Sequence, residues 1–433
     1  MSPPSDPVPE PQRPTQVRWV VFGLACAVSW LLYLHRYSWG VIKPALRAEY
    51  PDLTDVQLGW LDSVFQVTYA FGQVPGGLAG DVWGPRMVLS LGILLWSGTL
   101  AALAWTTGSW GMAGVRAAFG LAQAGGYPNL SKVTRSWFPL SIRTTVQGAV
   151  ASLSGRAGGA CASIVVATLL MGQLGLGWRG ALITISAAGI VLAAAFWLLF
   201  RNRPADHPWA NQAEAELIDF GNAPVVAGER PRIQWNAGNL LTFGAMMAYA
   251  FASTFVDQLF VNWVPLLLVE RGLDAAQMGL YASLPLIGGA LGGAFGGVLN
   301  DWLIRVTGSR RWGRSTVAFT GKTIGGVLLG VSILEADGRA VALTLMAAKF
   351  FGDWSMTTLW GTVTDVGGRA AGTVFGVVNT AGAVAGFVAN PWIGHMKQSF
   401  GWETTFFGLA AVFFAASFAW LFIDSNRRLL AES

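Results

Sequence analysis

The sequence predicts an all-α integral membrane protein of twelve transmembrane helices, arranged as two pseudo-symmetric six-helix bundles. Three observations lead there. Of 433 residues, 53% are hydrophobic and only 12% charged, against roughly 25% charged in soluble domains. Such a chain cannot cover its surface with charge and must be solvated by lipid. Crossing the hydrocarbon takes about 20 mostly apolar residues, and twelve stretches meet that measure. Finally, the two halves repeat each other at a fixed offset.

The elements follow in chain order. MSPPSDPVPEPQRPTQ is polar and proline-rich, so residues 1–17 are expected to be disordered and cytoplasmic. They lack the early apolar core of a cleavable signal, and the first span is expected to stay attached. The first bundle (18–201) holds candidate spans at 18–46, 54–80, 86–107, 109–135, 141–171 and 177–201. A polar stretch at 202–236, with prolines and mixed charge, reads as a cytoplasmic linker. The second bundle (237–424) holds spans at 237–270, 275–303, 314–335, 338–366, 369–398 and 401–424, followed by a cytoplasmic tail, 425–433. Cys26 and Cys161 lie inside apolar segments and imply no disulfide framework.

The net charge of +5 is a topology signal and not a nucleic-acid footprint, because the basic residues cluster at span ends. With a cytoplasmic N-terminus, seventeen Lys and Arg fall inside, Arg230, Arg232 and Arg369 among them. Five fall outside: Arg47, Arg179, Arg271, Arg339 and Lys397. Both termini are therefore expected in the cytoplasm of a multi-pass protein of the cell membrane.

The repeat lies in spans 2 and 8. At an offset of 220, Gly59 matches Gly279, Gly72 matches Gly292, Gly77 matches Gly297 and Asp81 matches Asp301. Glycines on a span allow close helix contact. The aspartates sit at the cytoplasmic edge, able to cap a helix or to pair with Arg86 or Arg305. Parallel repeats about an axis along the membrane normal are a transporter architecture.

GLAGDVWGPR, with Gly77, Asp81, Gly84 and Arg86, resembles the signature between helices 2 and 3 of the major facilitator superfamily. Within it, GLAQAGGYPNLSKVTRSWFP (120–139), LVERGLDAAQMGLYASLP (268–285) and GRAAGTVFGVVNTAGAVAGFVANPWIG (368–394) are similar to stretches of the anion:cation symporter family. The resemblance covers nearly all of the chain beyond its proline-rich start. It implies two bundles rocking around a central cavity and moving organic anions such as sugar acids, usually with protons or sodium.

A charge at mid-span costs about 2.5–3.5 kcal/mol, so each one needs a reason. Six basic residues remain once the loops are assigned: Arg36, Lys43, Arg116, Arg156, Lys322 and Lys349. Lys43 and Lys322 lie near span ends and read as snorkelling to the interface. Against the other four stand Asp257 and Asp353, which makes the interior positive by about two. An enclosed positive cavity holds anions, and a guanidinium grips a carboxylate with two parallel hydrogen bonds. Arg36 is the first candidate for that grip, the bland alternative being a salt bridge to Asp257 or Asp353. The resemblance supports the choice, since many family members carry an arginine at this place.

Arg116 and Gln123 share a face of span 4; Arg116 would serve the anion from near the outer entrance or snorkel outward, and Gln123 would bond cargo or tie two helices. Arg156, among small residues, would reach the cavity or plug a helix contact, and both readings stay open. Lys349 and Asp353, four apart, would neutralise each other or form a switchable pair. Asp257, Gln258 and Asn262 form a polar cluster before Pro265, with Gln258 and Asn262 on one face. Tyr69, Trp360 and Asn379 match positions that line the cavity in the family, although Tyr69 and Trp360 would also serve as ordinary packing.

Many bacterial members carry an acid just before the helix 1 arginine and a glutamate in the helix 4 signature. Here those places hold His35 and Gln123. Gln123 cannot titrate; His35 can, near neutral pH. The candidate proton carriers are His35, Asp257 and Asp353. The resulting expectation is a secondary active transporter of a small organic anion working by proton-coupled symport. A facilitator or exchanger and a membrane sensor are the alternatives. The expected partners are that anion, a proton or sodium ion and the bilayer, with no nucleic acid, and the chain is expected to act as a monomer. No catalytic set, metal cluster or cofactor motif is present, so an enzyme is not expected.

Overall fold

The computed structural model describes residues 13–219, 236–367 and 371–428, and all their regular structure is helical. The expectations for the proline-rich start, most of the linker, Arg230, Arg232, Arg369 and the end of the tail lie outside these residues. Spans 1 to 3 are the helices Val17–Glu49, Asp55–Val82 and Gly84–Leu103. Span 4 breaks at Gly125 into Gly108–Ala124 and Gly126–Trp137. Span 5 alternates α-helix (Leu140–Gly148, Gly155–Ser163) with π-helix (Ala149–Ser154, Ile164–Gln173). Span 6 is Trp178–Leu199, after which the short helices Pro204–Asp206 and Gln212–Asp219 lead off.

Span 7 runs Ala237–Gln258, passes through a π turn at Leu259–Trp263 and ends as Val264–Glu270, with Pro265 in its first turn, where a missing N–H costs nothing. Spans 8 and 9 are Ala275–Thr307 and Arg310–Ser332. Span 10 breaks at Asp353 into Gly338–Gly352 and Trp354–Gly367. Spans 11 and 12 fall within Ala371–Phe422, parted by the non-helical Gly401. Its φ of +80° suits only glycine. The chain folds back there, bringing Gly408 against Trp392. Among the described residues, seven helical stretches are long and apolar enough to cross a membrane, and the last, Val374–Phe422, is parted by Gly401 into two crossings.

The repeat seen in the sequence is also a repeat of contacts. Gly59 packs on the Asn390–Pro391 backbone of span 11, and its counterpart Gly279 packs on Ser163 and Thr168 of span 5. Gly72 meets span 4 at Ala124, and Gly292 meets span 10 at Phe350. The correspondence reaches the caps: Thr54 accepts from the Gln57 amide, and Asp274, 220 residues later, accepts from the Gln277 amide. Each cap satisfies an otherwise orphaned N–H at the start of its half's second helix.

Polar links between the halves gather at the end where span 1 turns into span 2 and span 7 into span 8. Lys397 of span 11 bonds Asp55 at 2.9 Å, Gln398 accepts from the Val56 amide, Ser63 donates to the Phe387 carbonyl at 2.5 Å and Thr168 donates to the Ala276 carbonyl at 2.7 Å. Farther along the same pair of helices, Ala70, Phe375 and Asn379 are exposed. The bundles therefore meet at one end and part toward the other.

Candidate functional site

Arg36 lies midway along span 1, and no carboxylate pairs with it among the described residues. Its guanidinium sits 4.3 Å from the Tyr69 ring centre and 5.2 Å from those of Tyr33 and Phe65. Its Nε donates to Gln123 Oε1 at 3.2 Å, while Gln123 Nε2 donates to the Leu32 carbonyl at 3.0 Å. Gln123 thus ties spans 1 and 4 and aims the guanidinium. One terminal nitrogen, Nη2, has no hydrogen-bond partner. A guanidinium stays charged in any protein setting, and aromatic faces stabilise it without neutralising it. Neither Asp257 nor Asp353 pairs with it, so the salt-bridge alternative does not hold.

Beside this cage lies a charge network that sequence reasoning missed. Asp62 of span 2 is buried and bonds Lys43 Nζ at 2.5 Å. Arg116 Nη2 stands 3.7 Å from Asp62 Oδ1, and its Nε donates to the Leu61 carbonyl. Lys43 therefore does not snorkel. It is fully buried, with Trp263 of the other half 4.2 Å away. Arg116 is also buried, stacked on Trp39 and Phe65, and is committed to Asp62 instead of facing an entrance.

In the second half, Lys349 Nζ lies 2.7 Å from both Asp257 Oδ1 and Asp353 Oδ1. The pair expected from sequence is a triad, joining span 7 to the break in span 10. Lys322, also expected to snorkel, is fully buried; it donates to Ser253 at 2.8 Å and lies 3.9 Å from the Phe413 ring. Gln258 and Asn262 do share a face: Asn262 donates to Gln258 Oε1 at 3.0 Å and to Asn390 Oδ1 at 3.1 Å. Asn390 of span 11, which sequence reasoning passed over, closes the amide cluster and accepts from Trp263 Nε1.

Other candidates are placed as follows. His35 is fully buried between spans 1, 3 and 6, its Nε2 3.0 Å from the Ile185 carbonyl, on the side away from the Arg36 cage. Trp360 stacks on Phe375 at 4.3 Å, half-buried, and Asn379 is exposed where the halves diverge. Arg156 is half-buried at the junction of the bundles, against Gly293 of span 8.

At the 2–3 loop the Asp81–Arg86 pair, one of the alternatives offered by the sequence, does not form. Asp81 bonds Lys132 at 2.5 Å, which also donates to the Gly77 carbonyl, whereas Arg86 donates to the Trp197 carbonyl that ends span 6. Which partner each cation reaches is set by how spans 2, 4 and 6 pack, which sequence spacing does not reveal. Gly84 starts span 3 against Asn202, which accepts from the Arg86 amide. Arg305 donates to the backbone of Asp301, whose side chain has no ion pair among the described residues. Among the described residues the membrane-spanning interior thus holds six cations, Arg36, Lys43, Arg116, Arg156, Lys322 and Lys349, and three acids, Asp62, Asp257 and Asp353. The excess is larger than expected.

Twelve crossings in two half-repeats that part around a positively charged centre define a membrane transporter. The chain belongs to the Major Facilitator Superfamily, whose family model matches residues 25–390. It is 28% identical to the probable sulfoacetate transporter SauU of Cupriavidus necator, over 94% of both chains. It is also 28% identical to the probable galactarate/D-glucarate transporter GudP of Bacillus subtilis, over 90% of this chain and 88% of that one. Among solved structures, an inward-facing bacterial homologue of the human lysosomal transporter Spinster matches with a TM-score of 0.72 and 16% identity, covering 94% and 95% of the two chains, which speaks for the fold alone. A superfamily of transporters also accounts for the expected lack of enzymatic chemistry.

Proposed function

We propose that the protein is a secondary transporter of a small organic anion, a sugar acid or related carboxylate, working by alternating access with Arg36 as the anion grip. The observation that carries this is the Arg36 guanidinium, stacked among Tyr33, Phe65 and Tyr69 with no acid beside it. A half-buried cation enclosed by aromatic rings and without a counter-ion calls for one, and a carboxylate ligand supplies it. The similarity to sulfoacetate and galactarate/glucarate transporters points the same way. With cytoplasmic termini, the end at which the bundles part opens to the cytoplasm.

Proton coupling is the finer half of the proposal. His35 is pinned to Ile185 and Gln123 has no titratable group, so the Lys349 triad is the coupling site in this reading: two carboxylates sharing one ammonium keep a net negative charge that a proton can cancel. Uptake into proteoliposomes tests both halves. Arg36→Lys keeps charge but loses the planar fork, so galactarate or sulfoacetate uptake should fall at least tenfold, and Arg36→Ala should abolish it, with both variants eluting and melting as folded protein. Normal transport by Arg36→Ala would sink the grip. Symport also requires that added substrate carry protons into the vesicle; flux with no accompanying pH change would leave an exchanger.

A further inference from the structure

Of the six intramembrane cations, three have acid partners among the described residues, and Lys322 has only a hydroxyl. Lys43 and Arg116 share Asp62, Lys349 holds Asp257 and Asp353, and Lys322 donates to Ser253. Like Lys322, Arg36 and Arg156 pair with no acid among the described residues; Arg36 donates to Gln123, whereas Arg156 makes no hydrogen bond there. The cause is local: Lys349 already holds both acids that flank the junction. Arg156 approaches close enough to Gly293 that a Cβ there would stand 3.2 Å from its Nη1, yet it is left without a counter-charge.

The two arginines border one aromatic wall. The Tyr33 and Tyr37 rings meet edge to face at 5.6 Å, and Arg36 lies over the Tyr33 ring. On span 5, Gly155 and Gly159, either side of Arg156, leave room for no side chain because Tyr33 and Tyr37 press against them. The stretch of span 5 that carries Arg156 therefore packs on the tyrosine pair that Arg36 borders, within the same bundle, and the Arg156 guanidinium itself reaches the other bundle at Gly293.

We infer that the site takes a doubly charged organic anion, with one acid group on Arg36 and the second, at the far end of a short backbone, on Arg156. The inference rests on the organic-anion reading and narrows it. A monoanion would satisfy one guanidinium and leave the other uncompensated in a low-dielectric junction, whereas a dianion brings each its counter-charge. Because Arg156 faces the second bundle, the second acid group also links the cargo to the part of the molecule that must move.

The test is equilibrium binding to the purified full-length protein with two matched pairs, galactarate against galactonate and sulfoacetate against acetate. In the wild type the dianion of at least one pair should bind tenfold or more tighter than its monoanion. In Arg156→Gln that preference should shrink at least tenfold, and Arg156→Lys should restore part of it. Arg36→Gln should lose both members of the pair. Equal binding of dianion and monoanion by the wild type overturns the inference. So does an Arg156→Gln variant that weakens both members in proportion, the behaviour expected if Arg156 only packs the junction or pairs with an acid in another conformation. Failure of the wild type to bind any of the four would instead overturn the organic-anion reading beneath it.

Discussion

Asp62 balances two cations in the first bundle, and removing its charge strands both. Lys43 is fully buried and Arg116 nearly so, and breaking a buried pair on one side costs about 3–5 kcal/mol. Asp62→Asn should therefore lower the melting temperature in detergent by several degrees. Asp62→Asn with Lys43→Met, which removes one stranded charge as well, should melt higher than the single variant. A single variant as stable as wild type would mean that the network carries no net energy. At this scale the sequence was least legible. It displayed the residue types, but Lys43 and Lys322 near span ends read as snorkelling because depth and rotation within a bundle are tertiary facts. Asp62 escaped notice for the same reason. The enclosed place of the Arg36 charge was legible because it lies mid-span, where no snorkelling route exists.

Among the elements, spans 2, 5, 8 and 11 do the work of bringing the bundles together. Gly59 and Gly279 hold equivalent places in that junction, each meeting the opposite bundle where a side chain has no room. Gly59→Val should force span 2 off the Asn390–Pro391 backbone and bias the molecule away from the closed end. Spin labels on Gln57→Cys and Gln398→Cys, with Cys26 and Cys161 replaced, would report a longer or broader distance; an unchanged distribution would mean the backbone there yields. The helices themselves were legible from apolar length, and the pairing of halves from the constant offset. The π segments of spans 5 and 7 and the break at Asp353 were not, because a local change of helix type leaves the apolar run unaltered.

For the molecule as a whole, the closed end is held by charge as well as by packing. Lys397 of the second bundle bonds Asp55 of the first and Glu270 of its own, and is itself only 9% exposed. Partial burial makes such a link stronger than the surface pairs, which contribute about 0–1 kcal/mol. Lys397→Ala should let that end open more often. A cysteine placed at Ser63, now bonded to the Phe387 carbonyl, should then react several-fold faster with an impermeant thiol reagent. An unaltered rate would leave the glycine contacts as the whole of the seal.

The start of span 1 has no side-chain cap from its own Gln16. Its first amides, Val17 and Arg18, donate instead to the buried carboxylate of Glu214, which also accepts from the Thr15 hydroxyl and pairs with the Arg18 guanidinium. The keystone of the earliest crossing is thus synthesised nearly two hundred residues after it. During translation the leading turn of that crossing goes without this cap until all six helices of its bundle have followed, so the bundle is completed by the segment of chain that leads to the next one.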